Sequence, residues 1–128
     1  MDNNDNNKQE MIPFFSIASK DFEQDLIILK KVLHQFEQRT HSENAYKFSQ
    51  RAQMAAGWWF YDIFFKPDFV QKIFQLVLPH GFPPNKKAAT MKIVDMFQSQ
   101  IKQNGSDARI KMYGDIPFAT AWWSWLFK

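Results

Sequence analysis

Asp62 is the one carboxylate set inside a block of large rings, Trp58-Trp59-Phe60-Tyr61-Asp62-Ile63-Phe64-Phe65. A carboxyl group desolvated by such neighbours has a raised pKa and can act as an acid or base. Catalysis needs a second group, and none stands beside it. Read on a helix, Asp62 lies one turn before Lys66 and about three turns after Arg51, so an ordinary ion pair at the edge of an apolar helix explains it better. His34, His41 and His80 fall in separate stretches without HExxH-like or other close ligand spacing, which leaves a metal site without local support. There is no cysteine, so thiolate ligands, disulfides and a cysteine nucleophile are excluded. No GxSxG, P-loop or dinucleotide-binding glycine pattern occurs. No cofactor is expected, and the signal for an enzyme is weak.

Lys86 and Lys87 open a helical stretch, where the dipole disfavours cations. Beside free helix-terminal amides they could form an anion site; the plainer reading is that both extend into water. A nucleic-acid surface would join them to Lys92, Lys102, Arg109 and Lys111, but Asp95 and Asp107 interrupt the run and no binding motif frames it.

The stronger signal is ring area. Aromatic residues make up 17% of the 128, with Phe 14, Trp 5 and Tyr 3, which exceeds what a core of this size needs. Part of that is core. The remainder is expected to bind a partner, through Trp58, Tyr61 and Phe65 in the middle of the chain and Trp122, Trp123, Trp125 and Phe127 at its end, because large rings with a polar handle are enriched at interfaces.

The elements that must position these residues read as helices. Residues 1–11 are expected to form a polar, disordered tail and 12–128 one helical domain. Ile12-Pro13-Phe14-Phe15-Ser16-Ile17 is an extended or short helical lead-in. Ser19 or Asp21 caps a first helix, with Phe22, Leu26, Leu29, Leu33 and Phe36 on one stripe widened by Ile28 and Val32, running to about Gln38. Thr40-His41-Ser42-Glu43 has the form of a capping box for a second helix ending at Pro67. Gly57 allows a break there, with Trp58 to Phe65 as a strand in the alternative. A third helix has Phe69, Ile73, Leu76 and Val77 inward. A fourth has Ala89, Ile93, Val94, Met96, Phe97 and Ile101 inward and Asn104-Gly105 as its C-cap. Residues 106–116 read as loop, because the alternating Arg109-Ile110-Lys111-Met112-Tyr113 has only the doubtful central strand to pair with. Asp115 caps a last helix with Pro117 in its first turn. The fold class expected is all-α, a single bundle of about five helices, with a short strand pair as the lesser alternative.

The net charge of +3 is uneven, −3 over residues 1–43 and +6 over 44–128. Bases are mostly lysine, 13 against 3 arginines, which suits solvation more than bidentate recognition. The N-terminal stretch lacks a signal-peptide pattern and no apolar run reaches the roughly 18 residues of a spanning helix. A cytoplasmic protein is expected. The function expected is that of a non-enzymatic interaction protein, an adaptor or accessory subunit, whose partner is another protein or a second copy. The alternative is a peripheral protein held at a membrane or lipid surface by its Trp-rich C-terminus.

Overall fold

The computed structural model describes residues 11–49, 52–78 and 86–117, with the backbone alone at 11, 86 and 115–117. Within them the chain runs β1 (Met11–Ser19), α1 (Phe22–Thr40), β2 (Tyr46–Phe48), β3 (Gln53–Ala55), β4 (Trp58–Phe65), α2 (Pro67–Val77), α3 (Lys86–Gln103) and β5 (Arg109–Pro117). Three helices accompany a five-stranded antiparallel sheet among the described residues, so the fold is mixed α/β and the expected all-α five-helix bundle is overturned.

The largest correction falls on the expected second helix. Thr40 does not cap it: Thr40 ends α1, its hydroxyl donating to the Phe36 carbonyl at 2.7 Å, and His41 follows at φ 55 as the left-handed residue past the helix end. The chain then folds as a hairpin. Ala55 stands opposite Trp58, leaving a two-residue turn of Ala56 and Gly57 at φ 53 and 83. Two positive φ values give the turn form whose twist matches antiparallel strands. Gly57 adopts it freely, whereas Ala56 carries about 1 kcal/mol of left-handed strain. The eight residues of β4 are seven apolar or aromatic side chains and one acid, the composition of a strand half-buried or more on both faces.

β1, read from sequence as a lead-in, is the centre of the sheet, whose order is β2-β4-β1-β5, with β3 beside β2 on the same edge of β4. Phe15 faces Ile63 on β4 and Tyr113 on β5. The stretch expected as loop is therefore β5. Asp115 and Pro117, expected to open the last helix, lie in this strand. The remainder of that helix, 118–128, is outside the described residues.

Side chains alternate across the strands. Phe15 and Ile17 of β1, with Tyr61, Ile63 and Phe65 of β4, join the helices in one apolar cluster. α1 brings Ile28, Leu29, Val32, Leu33 and Phe36 to it, α2 brings Phe69, Val70 and Ile73, and α3 brings Ile93, Phe97 and Ile101. Each such side chain contributes roughly 1.5–3 kcal/mol when removed from water. Phe15 is its hub, with ring centroids 5.0 Å from Phe65, 5.2 Å from Phe97 and 5.5 Å from Tyr113, all edge to face.

Helix ends follow ordinary chemistry. Asp21 caps α1 by accepting from the Gln24 amide at 3.3 Å. Pro67 occupies the first turn of α2, where its missing amide costs nothing. Gly105 at φ 96 closes α3, its amide donating to the Lys102 carbonyl and that of Ser106 to Ile101. No helix among the described residues is long and apolar enough to cross a membrane.

Candidate functional site

Two surfaces meet at β5, and buried polar groups hold both in place. Where β1 turns into α1, the Ser19 hydroxyl, fully buried, lies 2.7 Å from the Tyr61 hydroxyl. One turn into α1, Asp25 is only 3% exposed and accepts from the Ser106 hydroxyl at 2.6 Å; Ser106 in turn accepts from the Ala108 amide. The Gln98 side chain on α3 accepts from the Ile110 amide at 2.9 Å and donates to the Ala108 carbonyl at 2.7 Å. Its amide group thus pairs with the outer edge of the chain entering β5 as a neighbouring strand would. These contacts pin the loop from α3 to β5 on both sides.

Burial pushes the Tyr61 phenol up from its ordinary 10.0 to about 12, against the lowering effect of its Ser19 bond and with a smaller push from the Asp25 charge. Because folding favours the protonated phenol, its contribution to stability is complete below pH 10.0 and is lost as pH rises through about 12. Tyr46 is raised too, by burial and then by the Glu37 charge, and acts in the same direction. Unfolding titrations should show stability falling over this alkaline window, with a shallower fall in Tyr61→Phe; an equal slope in that variant would remove Tyr61 as the cause.

The first surface is a cleft of about 760 Å³ at the end of the sheet, among the start of α1, the end of α3, the loop after it and the hairpin. Trp58 is half-buried in its wall, with the Lys20 ammonium 4.9 Å and the Arg109 guanidinium 5.3 Å from its ring centroid. Lys102 and Lys111 line the same cleft. The acids there are Asp21, Asp25 and Asp107. Two of them are engaged, Asp21 in capping α1 and Asp25 in holding Ser106.

The second surface is a groove of about 560 Å³ between α3 and β5. Its apolar lining is Met91 and Val94 from the helix and Ile110 and Met112 from the strand, with Lys87, Asp95 and Lys111 at its margin. Met91 is 55% and Met112 51% exposed. β5 is the last strand of the sheet on this side among the described residues.

The residues singled out from sequence scatter. Trp58 lies in the cleft, whereas Tyr61 and Phe65, at 5% and 1% exposure, are packed in the core. Trp122, Trp123, Trp125 and Phe127, on which the lipid-surface alternative rests, lie outside the described residues, as does His80. Lys87 lines the α3–β5 groove, and of Lys86 only the backbone, the first residue of α3, is described. Asp62 accepts from the Ser16 hydroxyl across to β1 at 2.9 Å. Its expected ion pair with Lys66 does not form, because four residues along a strand span roughly 13 Å rather than one helical turn. His34 stands 3.4 Å from Glu37 and His41 ends α1. Among the described residues no three metal-ligating side chains come together.

Lys20, Met91 and Met112 were not marked as a site by the sequence, and Arg109 was named for a site only with Lys102 and Lys111 in the disfavoured nucleic-acid run. Each is unremarkable alone, and what assembles them is pairing of β1 with β4 and β5. No protein-family model matches this chain, and no significant match occurs among curated proteins or solved structures.

Proposed function

We propose that this chain is a non-enzymatic interaction protein that takes an extended segment of a partner protein into the groove between α3 and β5. The observation that carries the reading is that two of the most exposed large apolar residues, Met91 and Met112, share one groove with Val94 and Ile110 beside the last strand of the sheet. Methionine side chains suit such a role, since they are polarizable and adapt to varied partners. An extended segment lying along a strand presents alternate side chains to one face, so the partner should carry apolar residues at every second position. Lys87 and Lys111 against Asp95 favour net negative charge in that segment.

Selection of extended peptides from a displayed library against the immobilised protein tests this. The expected winners alternate apolar residues and include acids, and lose at least tenfold in affinity for Met112→Lys while the variant unfolds at an unchanged temperature. Winners that bind wild type and Met112→Lys alike would overturn the reading. So would a dimer in light scattering that Met112→Lys converts to monomer, since the groove would then belong to a second copy.

A further inference from the structure

The cleft around Trp58 adjoins the groove, sharing Ile110 and Lys111 with it, and differs from it in chemistry. We infer that it is a binding site for a phosphate-bearing small molecule. Lys20, Lys102, Arg109 and Lys111 all line it, from three parts of the chain: the residue after β1, the end of α3 and the start of β5. None of the four forms an ion pair with a described carboxylate. Lys20 and Arg109 instead rest over the Trp58 ring. The lining holds four bases against three acids, so it keeps a small net positive charge, and a multiply charged anion that contacts the four cations relieves their mutual repulsion. Of the lining acids, Asp21 and Asp25 already accept hydrogen bonds from the protein, which leaves Asp107 as the carboxylate with no such role.

Phosphate fits better than a lone carboxylate, because it offers two charges and several acceptor oxygens to ammonium groups that arrive from different directions and to one guanidinium. A volume of about 760 Å³ exceeds what a phosphate group alone fills and lies in the range of small-molecule sites. The half-buried Trp58 ring with the Arg109 guanidinium over it offers flat surface for a planar group attached to the phosphate. The cleft is fixed before any ligand enters, since Ser106 is tied to Asp25 and the start of β5 to Gln98.

Titration calorimetry with the full chain at low salt, using inorganic pyrophosphate, adenosine monophosphate and a short single-stranded oligonucleotide, tests the inference. Pyrophosphate and the mononucleotide should bind, more weakly as salt rises, and the variant Lys102→Gln with Arg109→Gln should lose at least tenfold in affinity. Tighter mononucleotide binding that Trp58→Leu abolishes, with pyrophosphate binding kept, would assign the ligand a planar group; equal loss of both would assign the phosphate alone. Lys102 and Arg109 are exposed and Trp58 is half-buried, and an unchanged unfolding temperature checks that the fold persists in each variant. The inference is overturned if neither small anion binds, if the double variant binds them equally, or if only the oligonucleotide binds. Met112→Lys alters the groove alone and the Lys102, Arg109 and Trp58 substitutions alter the cleft alone, so either proposal can fail without the other.

Discussion

Phe15→Ala is expected to destabilise the protein by about 3–5 kcal/mol, the range for deleting a fully buried phenylalanine. Phe15 is 2% exposed at the centre of β1, and its ring meets Phe65 of β4, Phe97 of α3 and Tyr113 of β5. The cavity would therefore open between the sheet and a helix while also removing packing between three adjacent strands. A domain of this size has only about 5–15 kcal/mol in hand, so the variant should lose a large fraction of its total stability. Denaturant unfolding measures this, and Phe15→Leu, which keeps most of the volume, should recover much of the loss. A change below about 1 kcal/mol for the alanine variant would place the hub of the core elsewhere.

Asp25→Ala should cost about 2–3 kcal/mol for a different reason. It removes the acceptor of a buried hydroxyl, that of Ser106, and a carboxylate from the first turn of α1, where the helix dipole favours it. Asn at this position keeps an oxygen acceptor and should lose less. Because Ser106 also accepts from the Ala108 amide, the damage should spread to the loop from α3 to β5, seen as faster amide exchange at Ala108. Exchange unchanged there, with stability lost only through α1, would show that the Asp25 contact does not hold the loop.

The sequence carried the helices well. The stripe from Phe22 to Phe36, whose first two members are only partly buried, the Asp21 cap, Pro67 at the start of α2 and the stripe from Ala89 to Ile101 each follow from local spacing, and α1, α2 and α3 stand where those signals put them. What was not legible is pairing between distant segments. Residues 40–65 hold apolar side chains at both helical and alternating spacings, so periodicity alone could not decide. The decision comes from the Ala56-Gly57 turn and from β1, which offers β4 a partner on its other side. β5 read as loop because its only foreseen neighbour was the central strand, whereas Phe15 and Tyr113 pair across almost the whole chain. The sites inherit this split. Trp58 was visible as a ring, but Lys20 and Arg109 reach it only through the sheet.

The described part of the ring content follows the same split. Phe14, Phe15, Phe36, Tyr61, Phe64, Phe65, Phe69 and Phe97 are buried, and Phe22, Tyr46, Phe48, Phe74 and Tyr113 pack partly buried against the core, so most described rings serve the interior. Beyond the core, Phe60 is exposed on β4 and Trp58 stands half-buried beside Lys20 and Arg109.

The claim at the centre is that the α3–β5 groove receives a partner segment. Amide chemical shifts recorded while a selected peptide is added test it most directly. The account predicts that the largest changes map to Met91, Val94, Ile110, Lys111 and Met112, with little at the Ala56-Gly57 turn. Changes concentrated on the hairpin or on α2, with the groove amides unmoved, would contradict it.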